Sequence, residues 1–144
     1  MVDLGALNDK LEIHELLARY ARGVDDRDWD LYRDVFTPDA HIDYTSAGAI
    51  AGTRDEVVAF MQEVFPTIPW SQHYITNIEV DLDGDRAAVT ACFHNPMIFP
   101  GTTELSSCGG RYHHQFVRTP DGWKSCDLRE ESLWFADPPA GLHR

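Results

Sequence analysis

Along this chain the spacing of apolar residues is mainly threes and fours in the first half and twos from about Tyr74 onward. Leu7, Leu11, Leu16, Leu17, Tyr20 and Val24 recur at helical spacing, with Asn8 or Asp9 available as N-cap and Gly23 near the end, which predicts a first helix over roughly 8–23. Asp28 can cap a shorter second helix whose apolar face is Trp29, Tyr32, Val35 and Phe36, stopped by Thr37-Pro38-Asp39. His41 to Tyr44 alternates as a short strand does, and Ser46-Ala47-Gly48 turns the chain. Thr53 and Glu56 have capping-box spacing ahead of Val57, Val58, Phe60, Met61 and Phe65, so a third helix is expected over about 54–65, ended by Pro66 and Pro69.

From Tyr74 onward the period is two. Tyr74, Thr76, Ile78, Val80 and Leu82 lie on one strand, Asp83-Gly84-Asp85 is a hairpin signal, and the return strand runs over about 86–99. Pro100-Gly101 turns the chain into a strand over about 104–118, and Pro120-Asp121-Gly122 leads into a last strand from Trp123 to about Phe135. Helices first and four long strands afterwards argue for an α+β domain with a curved antiparallel sheet, because a parallel sheet would need helices between its strands. One domain over 1–136 follows, with 137–144 read as a loosely held tail.

Composition narrows the function. Twenty-four Asp plus Glu against twelve Lys plus Arg leave a formal charge of -12, a surface that repels phosphate backbones and anionic lipid, so neither nucleic acid nor a membrane is an expected partner. Cys92, Cys108 and Cys126 are odd in number and contain no C-x-x-C, which suits reduced thiols in a cytoplasmic protein. No stretch approaches the roughly 18 apolar residues of a membrane span, and the amino terminus lacks the basic and apolar regions of a signal peptide. No phosphate loop, nucleophile elbow or H-E-x-x-H is present, and His113 and His114, adjacent on a strand, point to opposite faces and cannot share a metal. No metal or cofactor is expected.

The run from Ile13 through Tyr20, Asp25 and Trp29, then Val35 to Tyr44, resembles the SnoaL-like branch of the nuclear transport factor two-like superfamily. So do Gln72-His73-Tyr74, Gly110-Arg111-Tyr112, Phe116-Val117-Arg118 and Gly122-Trp123-Lys124. The resemblance implies a cone-shaped α+β barrel: three helices packed on a strongly curved mixed or antiparallel sheet that encloses one deep, mostly apolar pocket. Cofactor-free members, the scytalone dehydratase and hexachlorocyclohexane dehydrochlorinase relatives, use an aspartate after the first helix and a histidine early in the first long strand, positions that match Asp25 and His73. A carboxylate that orients an imidazole leaves the other ring nitrogen free to remove a carbon-bound proton.

The same comparison makes Tyr20, Tyr44, Trp70 and His113 candidate substrate contacts. Tyr20 stands where the dehydrochlorinase has a lysine, and His113 stands near the dehydratase's pocket asparagine. The dehydratase's second histidine falls near Met97, with His94 close by but of the opposite parity. Arg111 and Arg129 read as surface or interface ion pairs, and Trp29, Trp123 and Trp134 as packing. The implied activity is a lyase or isomerase, dehydratase-like, on a small hydrophobic or polycyclic substrate. The alternatives are a non-catalytic ligand-binding or assembly module, such as a dioxygenase β-subunit-like protein, and a polyketide cyclase. A homodimer or homotrimer is expected.

Overall fold

The structure, a computed structural model, describes residues 1–139; residues 140–144, most of the expected tail, lie outside the described residues. Helix α1 spans Leu4–Asp25 and begins earlier than apolar spacing predicts, because Asp3 caps it by accepting from the Ala6 N–H at 3.1 Å. Leu4, Leu7 and Leu11 are exposed, so the face that packs is narrower than expected: Ile13, Leu16, Leu17, Tyr20, Ala21 and Val24.

Helix α2, Trp29–Asp34, is capped by Asp28 and stops before Val35 and Phe36, which periodicity places within it. The Val35 carbonyl instead accepts from the Ser125 N–H at 2.9 Å, and Phe36 opens strand β1, Phe36–Asp43. Pro38 sits inside β1 where the register slips between Phe36 and His41, a place that needs no N–H from it. Strand β2, Ala51–Thr53, precedes α3, Arg54–Val64, whose expected capping box is present in both directions. The remaining strands are β3 (Trp70–Ser71), β4 (Tyr74–Asp83), β5 (Arg86–Ile98), β6 (Leu105–Thr119) and β7 (Gly122–Ala136).

The sheet runs β2-β1-β7-β6-β5-β3, with β4 also on β5. Pairing is antiparallel except between β1 and β7, which align Ile42 with Leu128 in parallel. The sheet is therefore mixed, not antiparallel throughout: hairpins set the direction of β4 to β7, whereas β1 arrives from α2 and no tight turn constrains it. A bulge at Asn77, whose φ is 51°, bends β4. Both ends of the sheet are free edges, so the cone is not closed.

The helices and the concave face share one core, in which Trp123, Tyr20, Tyr32, Tyr112, Phe36 and Phe116 are the largest fully buried side chains. Arg118 fastens its lower rim, pairing with Asp9 and Asp85 at 2.8 Å each and lying 4.6 Å over the Trp123 ring. Gly23, read from sequence as a helix end, lies inside α1 where α2 crosses it: a Cβ there would stand 2.9 Å from the Tyr32 backbone nitrogen. Gly23→Ala is expected to destabilise by about 1–3 kcal/mol despite alanine's helix preference, since backbone must move to admit the methyl. Urea denaturation of the variant measures this, and an unchanged midpoint would refute it. Among the described residues no helix is long and apolar enough to cross a membrane.

Candidate active site

Asp25 is the last residue of α1, so its position is set where the helix must stop. Arg27, two residues on, takes a φ of 57° and turns its guanidinium back on the chain. It donates to the carbonyls of Val24 at 2.9 Å, Asp25 at 3.0 Å and Ile68 at 3.1 Å, and to Ser71 Oγ at 3.0 Å. The helix end is thereby tied to β3, from forty residues further along the chain. Phe65 supports the guanidinium from below, its ring 4.8 Å away.

That tie brings Asp25 and His73 together. The carboxylate accepts from three donors: His73 Nδ1 at 2.7 Å and Ser71 Oγ at 3.2 Å on one oxygen, and the His73 backbone N–H at 2.7 Å on the other. A carboxylate can only accept, so Nδ1 carries the proton and the Nε2 lone pair points away from Asp25. Side chains of both residues are largely withdrawn from water, 7% exposed for His73 and 15% for Asp25. No described residue hydrogen-bonds Nε2.

The pair opens on a cleft of about 610 Å³ between α1 and the β3–β4 edge. His14, Ala18, Ala21 and Arg22 form its helical wall, Ile75 and Ile78 its strand wall, and Trp70 and Tyr74 its half-exposed rim. It exists because β4 pairs only with β5, leaving the sheet unclosed against the helix. Its lining is more polar than the greasy pocket expected from the resemblance, since Arg22, Asp26 and Gln72 also reach it.

The other sequence candidates divide. Trp70 lines the cleft, whereas Tyr20 and Tyr44 lie deeper, in the core, their hydroxyls 2.7 Å apart. Tyr32 joins Tyr44 at 2.8 Å, and Tyr112 links Tyr20 to Glu130, so four phenols and one carboxyl form a buried chain. Burial raises all four phenol pKa values, and it pushes the Glu130 carboxyl up to about 7. His113 is not brought to the Asp25–His73 pair: it faces the convex side, its Nε2 2.7 Å from Glu131, because His114 takes the inward position on β6. His114 is buried among rings with its pKa lowered to about 3, since an apolar shell disfavours its charged form.

Arg111 pairs with Glu131 at 3.6 Å, and Arg129 is exposed opposite His113. His94 stacks outward on Tyr74, so the inward position on β5 belongs to Asn95, beside Met97. Arg27 and Ser71, which hold the Asp25–His73 pair in place, are the residues here that sequence reasoning missed, and nothing local singles them out. Among the described residues no group of His, Cys, Asp and Glu could hold a metal, and Cys92, Cys108 and Cys126 form no disulfide.

Comparison with known proteins adds the following. The family model described as the SnoaL-like domain matches residues 5–129. An uncharacterized protein of Mycobacterium tuberculosis is 38% identical over 125 residues, 86% of this chain and 85% of its own. The hexachlorocyclohexane dehydrochlorinase LinA-type3 from Novosphingobium barchaimii superimposes with a TM-score of 0.83 at 20% identity, covering 99% of this chain and 98% of that one. A putative scytalone dehydratase from Novosphingobium aromaticivorans does so with 0.82 at 17%, covering 96% and 97%. At these identities the likeness to the two solved structures is one of fold.

Proposed function

The chain belongs to the SnoaL-like domain family, and from that premise we propose that it is a cofactor-independent acid–base enzyme, a dehydratase-like lyase or isomerase of small hydrophobic or polycyclic ring compounds. The observation that carries the reading is the 2.7 Å contact between His73 Nδ1 and Asp25, which leaves Nε2 as a base without a described partner. The fold shared with a dehydrochlorinase and a putative dehydratase supports it, and so does the apolar wall of Ile75 and Ile78 beside aromatic Trp70.

In this reaction Nε2 removes a proton from a substrate carbon, and the electron pair of that C–H bond forms the new double bond. For dehydration the adjacent C–O bond breaks, and the imidazolium returns the proton to the departing hydroxyl, releasing water. For isomerisation the proton goes back to a different carbon. Asp25 keeps the ring oriented and stabilises the imidazolium. The working protein is read as a cytoplasmic homodimer or homotrimer.

Wild type and His73→Ala are to be incubated in deuterium oxide with a panel of cyclic alcohols and ketones. Protein-dependent loss of water or uptake of carbon-bound deuterium is expected with wild type and not with His73→Ala. Equal rates in the two proteins, or none in either, would leave the non-catalytic binding or assembly module as the better reading.

A further inference from the structure

Three buried side-chain atoms among the described residues have no hydrogen-bond partner: Thr37 Oγ1, His114 Nε2 and Asn95 Oδ1. His114 is ringed by Tyr20, Phe36, Tyr112 and Phe116, where no ligand oxygen reaches it. Asn95 is placed differently. Ser71 pairs with Met97, the Gln72 N–H donates to the Pro96 carbonyl at 3.0 Å, and Tyr74 pairs with His94. One register therefore runs through this stretch, and it sets Asn95 directly opposite His73.

Residues opposite one another in antiparallel strands project to the same face, with Cβ atoms about 4.5–5.5 Å apart. Burial along β5 agrees up to Asn95: Ala87, Val89, Ala91, Phe93 and Asn95 are buried, while His94 stacks outward on Tyr74, and beyond it Pro96 is buried along with Met97. The amide thus stands on the concave face next to the imidazole that Asp25 orients, adjoining the cleft through His73 and not itself among the residues that line it. An amide oxygen buried without a donor is unfavourable, and an apolar side chain of similar volume would avoid that.

We propose that Asn95 is a substrate-binding residue whose Oδ1 accepts a hydrogen bond from a hydroxyl of the ring compound. The substrate class is then a phenol or cyclic alcohol, not a wholly hydrocarbon or halogenated ring. This rests on the reading of the Asp25–His73 site as the place where substrate binds. A hydroxyl donating to Oδ1 keeps its own oxygen lone pairs free, and the ring carbon beside it is carried toward His73 Nε2. The same contact satisfies the orphaned acceptor, so part of the binding free energy comes from an atom that the free protein leaves unpaired.

The test compares 2-naphthol with 2-methoxynaphthalene, which has the same rings but no hydroxyl proton, by calorimetric titration of wild type, Asn95→Leu and His73→Ala. Wild type is expected to prefer the naphthol about tenfold, the size of one hydrogen bond. Asn95→Leu should reduce this to about twofold while melting at or above the wild-type temperature, because it removes an unsatisfied polar group. His73→Ala should keep most of the preference. Asn95→Ala, measured alongside, gives the same readout if leucine cannot be housed.

A preference that survives in both Asn95 variants, one that disappears in His73→Ala alone, or no preference or binding in wild type would each overturn the assignment. None of these readouts requires turnover, so the inference about Asn95 and the acid–base reading fail separately.

Discussion

Asp25→Asn is expected to lower turnover by two to four orders of magnitude, the range that a correctly poised general base contributes. The reason is the number of donors aimed at that carboxylate. Asp25 accepts from His73 Nδ1, the His73 backbone N–H and Ser71 Oγ, all within 3.2 Å. An asparagine keeps the shape but offers one acceptor oxygen and one donor nitrogen. Either the backbone N–H or the ring loses its partner, and in the second case the imidazole turns to its other tautomer, which puts a proton on Nε2 where the base should be.

The fall is expected in kcat with little change in KM, since Asp25 acts through the imidazole. Ser71→Ala, which removes the longest of the three contacts together with the Arg27 hydrogen bond to Ser71 Oγ, should cost tenfold or less. Steady-state kinetics on a substrate found in the deuterium screen decide the matter: an Asp25→Asn enzyme within tenfold of wild type would remove Asp25 from the mechanism.

Glu130→Gln is expected to reshape the dependence of stability on pH. Burial raises the Glu130 carboxyl from its ordinary 4.5 to about 7, so between those values the folded protein holds a proton that the unfolded chain has released. Stability from this group is complete below pH 4.5 and is lost as pH rises through 7, a total of about 3 kcal/mol at 1.36 kcal/mol per unit. His114 acts oppositely. Its folded pKa of about 3 lies below the ordinary 6.5, so the unfolded chain binds the extra proton and stability falls as pH drops below 6.5.

Between pH 4.5 and 6.5 the two slopes oppose each other, and wild type is expected to be most stable there, weakening on both sides. Glutamine, neutral at every pH, abolishes the alkaline loss. At pH 8 the variant should melt several degrees above wild type, while at pH 5 the two should nearly coincide. Thermal unfolding monitored by circular dichroism across this range tests it. A wild-type protein whose melting temperature is flat from pH 5 to 8 would show that Glu130 is not held protonated by its surroundings.

Several elements were legible from residues a few positions apart. The capping box at Thr53 and Glu56, the hairpin at Asp83-Gly84-Asp85 and the alternation from Tyr74 onward all report local physics, and α3 and the four long strands follow their expected spans within a residue or two. Parity also separated His113 from His114 and marked His94 as outward. Which of the two adjacent histidines faced the core was not legible, because both neighbours on the strand are compatible with either choice. Val35 and Phe36 were misread for a related reason: their spacing suits a helix, but β7 offered the Val35 carbonyl a hydrogen bond from Ser125, ninety residues away.

Local order along the chain therefore determined the kind and sequence of elements, since caps, turns and periodicity act over a few residues. Tertiary structure alone decided that Arg27 would bind Ser71 and the Ile68 carbonyl, that Asp25 would meet His73 at 2.7 Å, and that Asn95 would lie opposite His73 with its oxygen unpaired. Those contacts join α1, β3, β4 and β5 across separations of about forty residues or more for the first two and about twenty for the third. Their geometry depends on sheet register and on where the helix end is pinned, quantities that no single segment carries.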